Sequence, residues 1–528
     1  MLKPLKKNYQ FFIFLFFYFL IGGFFSITNG ITSDEFAEQQ NWQINISAII
    51  SFLKSGNYEN LLNYGDRYHG IAFHYIIQPI QFLFHGLVSE INGLSKFGGY
   101  LVSKHLAVFL IFTISGVFFY LLSFKLTANK NFSLISTILY LLYPYLLGHA
   151  QFNPKDIPFL SFWLINSYIS LTIVESLFKD EKINKYKLLT LSFLTAFLIS
   201  IRIVGVIILL QYVIGIIVLF NIKKIEIKNF IIKNFSTSFF FIISLLLFIF
   251  ILNPIFWHNP LEIVNSINWM SKYFNDICTL TLGTCMRSLN LPSSYYFIWL
   301  FFKLPIIVIL GISLFPFVEK KIFNDKSRCI YYSTLLISFF VILFIFILKN
   351  VAVYDELRHV LFLVPIIFLL GLVNLYYFNI KIFNILGIAV IFFFIMENIS
   401  LNPYQYTWLN SFAKFTDIEK NFEIDYWGVS NKNLSKKIVD YSNNNLVDEN
   451  ICIYGDIFAK ELIINKKFSC FKRYNQLDAA KDRPLFVYKN MRQVKRSNPK
   501  DCELIWNETY KYSFYDKKIS VGTAWFCN

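Results

Sequence analysis

Asn29-Gly30-Ile31-Thr32-Ser33-Asp34-Glu35-Phe36 follows the apolar run Phe11 to Ile27 and sets two adjacent carboxylates shortly beyond it. A second acid, Asp156, stands in a similar position within Asn153-Pro154-Lys155-Asp156-Ile157-Pro158-Phe159. Apolar runs approaching 20 residues recur along the chain. In lipid, backbone amides must be bonded within their own segment, so each such run reads as a membrane helix. The fold class is a polytopic α-helical membrane protein, a scaffold that brings carboxylates and a few arginines together at one bilayer face.

Composition supports this. Of 528 residues, 56% are hydrophobic and 16% charged, against roughly 25% charged in soluble domains. The net charge of +16 does not point to nucleic acid. The lysines fall in short clusters between apolar runs, which is the positive-inside pattern.

Lys3, Lys6 and Lys7 precede the first run, which is long for a signal peptide and lacks a clear small-x-small cleavage site; it reads as a retained helix with the amino end inside. Residues 28–103 form a first outer segment. Within it, 46–53 is amphipathic and 71–88 reads as an interfacial or re-entrant helix, with a spanning helix as the alternative. Further spans fall near 104–123, 133–149, 157–176, 187–201, 203–221, 235–252, 295–317, 331–348, 359–377 and 380–397. That makes about eleven spans. Inner loops then carry Lys125 and Lys130, Lys179 to Lys187, Lys223 to Lys233, and Lys320 to Arg328.

The membrane half is taken as residues 1–399 and an extracytoplasmic α/β domain as 400–528. In the latter, 433–441 reads as a helix, 451–454 and 485–488 as buried strands, and 502–526 as two or three more. Six cysteines (Cys278, Cys285, Cys452, Cys470, Cys502 and Cys527) fall in outer segments and Cys329 at an inner edge. An even number outside fits disulfides. Cys278 with Cys285 is the nearest local pair; the pairing in the tail stays open. The expected location is a multi-pass cell (inner) membrane protein, amino terminus cytoplasmic and C-terminal domain outside.

Chemistry concentrates in few places. Asp34 and Glu35 are either solvated acids or a reacting pair. Asp156 is expected on a short turn, because Pro154 and Pro158 should stop the flanking helices. Lys155 beside it pairs with an anion or neutralises the acid. Arg202 lies in an apolar stretch and needs a partner there. Arg358 and His359 open a span after Tyr354-Asp355-Glu356, where they bind an anion or snorkel. Acids with arginines at one bilayer face suit a lipid-linked phosphate: arginine grips phosphate with a planar fork, while a carboxylate takes a proton from an acceptor.

The Asp34-Glu35 segment, the stretch Gly148 to Phe159, and Arg358-His359 before Pro365 resemble the GT-C glycosyltransferases. They are similar to the branch of dolichyl-phosphate-mannose protein mannosyltransferases and bacterial aminoarabinose transferases (family 39 and PMT-type relatives). Asn402-Pro403-Tyr404-Gln405-Tyr406 and Asp425-Tyr426-Trp427-Gly428 look like bacterial members. The resemblance implies inverting transfer from a polyprenyl-phosphate sugar at the outer face, to an acceptor glycan, lipid or protein. It implies Asp34 as the principal catalytic acid, Asp156 as the second acidic motif, and Arg358 at the donor phosphate. The tail does not look like the MIR domains of eukaryotic members. No clear metal-ligand set is visible, so a divalent metal stays open. The alternative class is a multi-pass transporter or lipid flippase, which would show paired broken helices near the midplane.

Overall fold

The computed structural model describes residues 9–224, 226–270, 276–445, 451–455, 459–463, 468–474, 484–490 and 499–528. Among these, eight helices are long and apolar enough to cross a membrane: Tyr9–Ile27, Lys96–Thr127, Asp156–Phe178, Ile203–Lys223, Ile227–Leu252, Lys326–Leu348, Arg358–Phe378 and Ile380–Leu401. Two further spans are broken. Lys130–Leu142 with Pro144–Ala150 bends by 61°, and Ser294–Lys303 with Ile306–Ser313 bends by 118°. The remaining expected span, near 187–201, is the helix Lys185–Ile201 of 17 residues. It reaches about 26 Å, short of a hydrocarbon core of about 30 Å. It stops where Arg202 turns to extended backbone at φ −146°.

Asp156–Phe178 runs through the middle of the bundle and is entirely buried along its apolar window, whereas Ile227–Leu252 is only 17% buried and Ile380–Leu401 22%. The last two therefore present most of their surface outward. Only Pro154 excludes helix around Asp156. The helix begins at Asp156 itself and takes Pro158 into its first turn, where the missing amide has no intrahelical partner to lose. The stretch expected as an interfacial or re-entrant segment is the helix His74–Asn92, which carries Pro79 inside it. It buries Ile77, Gln81 and Val88 and exposes Phe82, Leu83 and Leu87.

Strands β1 (Cys278–Thr281) and β2 (Thr284–Arg287) form a hairpin closed by a Cys278–Cys285 disulfide. The C-terminal sheet has β3 (Ile451–Gly455), β4 (Phe468–Arg473), β5 (Leu485–Asn490), β6 (Glu503–Tyr510) and β7 (Ile519–Cys527) in the order β4-β3-β5-β7-β6. Helix Asn431–Asn445 packs on β5, β6 and β7. Parallel pairing of β3 with β4 sets Cys452 opposite Cys470, and antiparallel pairing of β6 with β7 sets Glu503 opposite Phe526. The registers bring together the disulfides Cys452–Cys470 and Cys502–Cys527. Cys329 is free.

The segment between the last span and the sheet is wound into the membrane half. Gly148 permits this: a Cβ there would lie 2.1 Å from the Tyr406 amide nitrogen. Farther on, the β1–β2 hairpin exchanges backbone bonds with Asn421 and Glu423. The chain thus arrives at Trp427 held from both sides.

Candidate active site

Asp34 ends the first loop and caps helix Glu35–Ser55, yet its carboxylate makes no capping bond. It accepts from Arg358 Nη2 instead. The same guanidinium donates from Nε to Asp156 Oδ2 at 3.0 Å and lies 3.5 Å, Nη1 to Oδ2, from Asp355. One arginine therefore faces three carboxylates brought from three parts of the chain. Its flat face rests on Trp427, 4.2 Å from the ring centroid, a cation–π contact that leaves the N–H edge free to donate.

Asp156 is the buried hub, with a side chain 1% exposed. Its second oxygen accepts from Arg202 Nη1, and Arg202 Nη2 lies 3.3 Å from His359 Nδ1. Asn153 fixes the hub from below: its side-chain oxygen accepts the Asp156 amide at 2.9 Å and its nitrogen donates to Asp156 Oδ2 at 3.0 Å. By contrast the Asp34 side chain is 38% exposed. Of the two acids joined through Arg358, Asp34 is the one a large substrate can reach.

Asp355 and Glu356 both have left-handed backbone, with φ of 56° and 66°. Non-glycine residues rarely adopt this conformation, and it costs on the order of 1 kcal/mol each. The kink sends the neighbouring carboxylates to different partners. Asp355 turns to Arg358, and its amide donates to Thr279 Oγ1 of the disulfide hairpin at 2.9 Å. Glu356 turns inward to Lys303 at 2.8 Å, where burial pushes its carboxyl up to about 7 despite the lysine.

The expected residues thus separate into two groups. Asp34, Asp156, Arg358, Arg202 and His359 form one connected network. Glu35 and Lys155 point elsewhere. Adjacent helical residues lie about 100° apart, and Glu35 enters a closed pocket. There Oε1 accepts the Thr32 amide at 2.7 Å and meets His105 Nε2 at 2.9 Å, while Oε2 lies 3.7 Å from Lys104. Burial works against its charge, but His105 and Lys104 outweigh it and hold the carboxyl below its ordinary range. Lys155 donates to Glu38 Oε1 at 2.7 Å and to His69 Nδ1 at 3.0 Å.

No protein-family model and no curated protein matches this chain. Among solved structures it is similar to ArnT from Cupriavidus metallidurans in the apo state, at 9% identity and a TM-score of 0.47, over 98% of each chain. It is similar also to the same protein bound to undecaprenyl phosphate, at 9% identity and a TM-score of 0.44, again over 98% of each. At such identities the site has to be read from its own residues.

Four residues in or beside this site draw no role from the sequence: Glu38, Asp355, Lys303 and Trp427. Glu38 had a local signal, because it follows Asp34 by four positions and so lies on the same helical face. Lys303 had another, an ionisable group inside an apolar run. Trp427 had only its place in a motif. Among the described residues no group of three or more His, Cys, Asp or Glu side chains is placed to hold a metal ion.

Proposed function

We propose that this chain is a GT-C-type membrane glycosyltransferase that moves a sugar from a polyprenyl-phosphate donor to an acceptor glycan, lipid or protein. The observation that carries the reading is the Asp34–Arg358–Asp156–Arg202 network, in which the one accessible carboxylate shares an arginine with a buried one. In this reading Arg358 and Arg202, with His359 beside them, receive the donor phosphate. Asp156 holds both guanidinium groups in place.

Asp34 acts as the base. The acceptor hydroxyl or amine attacks the anomeric carbon and its proton passes to Asp34. The bond from that carbon to the phosphate oxygen breaks, and its electron pair leaves on polyprenyl phosphate. Attack from the face opposite the phosphate inverts the sugar. Lys155 and Glu35 hold the first loop. The lysine distribution and the paired cysteines support a site at the outer face of the inner membrane, with the amino terminus cytoplasmic.

The test is transfer of a radiolabelled sugar from polyprenyl phosphate in membrane vesicles carrying wild-type or Asp34→Asn protein, alongside mass analysis of lipid-linked sugars with and without the gene. Wild-type transfer that the substitution abolishes is the expected result. Loss of the gene without change in any lipid-linked sugar or surface glycan would overturn the reading.

A second reading, a multi-pass transporter or flippase, draws on the two broken helices. They meet where Tyr143, at one break, donates to the Lys303 carbonyl beside the other, next to the buried Lys303–Glu356 pair. Movement of a lipid-linked sugar across proteoliposomes without any acceptor would favour it.

A further inference from the structure

At the end of the bundle farthest from Asp156, a groove of about 670 Å³ opens between the ends of four helices. These are the carboxyl end of Asp156–Phe178, the start of Lys185–Ile201, the end of Ile203–Lys223 and the start of Ile227–Leu252. The distance along the central helix is roughly 33 Å, so the groove and the acidic network are separate sites.

Its origin lies in how two helices meet. Lys185–Ile201 and Ile227–Leu252 pack closely along their length, with Ser192 Oγ donating to the Phe241 carbonyl at 3.3 Å. Toward the bundle end their partners become Leu188, Phe230 and Phe240, which line the opening without filling it. The lining mixes apolar and neutral polar side chains, and its four lysines outnumber its two carboxylates, Asp180 and Glu181. Lys182, Lys185 and Lys233 line the groove, and none has a carboxylate at ion-pair distance among the described residues. The fourth lysine, Lys223, is engaged by Asp180 at 2.5 Å.

We infer that this groove binds the headgroup of an anionic phospholipid from the adjacent leaflet. Two features choose that occupant. Lysines outnumber carboxylates along the opening, three of them with no ion-pair partner among the described residues, and each is worth about 1 kcal/mol toward an anionic surface. The groove's own Phe240 is partly exposed on the outer surface of the bundle, so the opening reaches a lipid-facing apolar side chain. A phosphate at the rim would therefore keep its acyl chains against an apolar helix. The volume lies within the range of small-molecule sites.

The experiment uses the purified full chain in mixed vesicles of phosphatidylglycerol and phosphatidylcholine, with lipid retained after detergent extraction counted by native mass spectrometry. Wild-type protein should retain phosphatidylglycerol preferentially. Lys182→Gln/Lys185→Gln/Lys233→Gln should lower that preference at least about fivefold. A control triple variant, Lys130→Gln/Lys320→Gln/Lys326→Gln, removes equal charge from the same bundle end without touching the groove and should leave the preference intact. Equal loss in both variants would mean a diffuse surface charge and overturn the proposal. So would equal retention of both lipids by wild type, or displacement of the lipid by inorganic phosphate at millimolar concentration.

Discussion

Arg358 donates from Nε to Asp156 Oδ2 at 3.0 Å across 202 positions of sequence, and its Nη2 is at the same time held by Asp34. A planar guanidinium can serve two carboxylates in this way because its N–H groups point in fixed, diverging directions. The donor phosphate proposed for this site would compete for those same N–H groups. Binding of the phosphate and release of Asp34 are then linked: the base becomes available to an acceptor as the donor takes its arginine.

Arg358→Lys keeps one positive charge but cannot bond two carboxylates or a phosphate through a fork. Sugar transfer should fall by at least about a hundredfold, the scale at which charge-stabilising groups act in such sites. Insertion and yield should be nearly unchanged. Near-normal turnover would remove Arg358 from the donor site and leave Arg202 as the better candidate.

Asp34→Asn and Glu35→Gln should separate chemistry from folding. A general base is worth roughly 10²–10⁴-fold in rate, so Asp34→Asn should abolish transfer while thermal unfolding in detergent stays close to wild type. Glu35→Gln leaves Lys104 buried without its counter-charge, a change that costs about 3–5 kcal/mol. Its signature is a lowered unfolding temperature. If instead both variants lose activity at unchanged stability, Glu35 takes part in the reaction.

Much of this was readable because the chain is poor in acid. Asp34 and Asp156 stand out beside apolar runs, and an arginine at position 202 inside such a run must find a partner. What sequence alone left open depends on direction. Asp34 and Glu35 are neighbours, and only the phase of the helix decides which one meets Arg358. Lys155 sits beside Asp156 but turns to Glu38, 117 positions away. Four tail cysteines allow three pairings, and only the strand registers choose between them. Trp427 reaches Arg358 because a glycine-tight contact at Tyr406 folds the tail back into the bundle.

Trp427 tests whether the segment before the C-terminal sheet belongs to the active site. Cation–π contacts contribute about 0.5–2 kcal/mol, so Trp427→Leu should lower transfer roughly 2- to 30-fold. The loss should appear in donor KM more than in acceptor KM, since the contact orients Arg358. A change confined to the acceptor would assign Trp427 a different task.

Thiol chemistry reads both the pairing and the sidedness. In unreduced, unfolded protein only Cys329 should react with a maleimide; after reduction all seven cysteines should. In intact cells treated with reductant, a membrane-impermeant maleimide should label the tail cysteines from outside. Labelling that requires lysis would place the C-terminal domain in the cytoplasm and overturn the proposed topology.

Glu38 carries a pH signature that distinguishes a structural ion pair from a solvated acid. Burial alone would raise its carboxyl, but Lys155 and, secondarily, His74 and His69 bring it down to about 2 from an ordinary 4.5. Burial also lowers both histidines, to about 3 and about 4, so above pH 4 they are neutral and Lys155 supplies the attraction. The folded value lies below the unfolded one. The stabilisation is therefore complete above about pH 4.5 and is lost as pH falls toward 2. Its size is on the order of 3 kcal/mol. The unfolding temperatures of wild type and Glu38→Gln should differ by a constant amount from pH 7 to about 5.5, and the gap should narrow steadily from about pH 4.5 toward 2. A gap that keeps its full size down to pH 3 would mean that Glu38 is not paired with Lys155. One that closes already near pH 6 would trace to histidine, because only an imidazole of ordinary affinity titrates there.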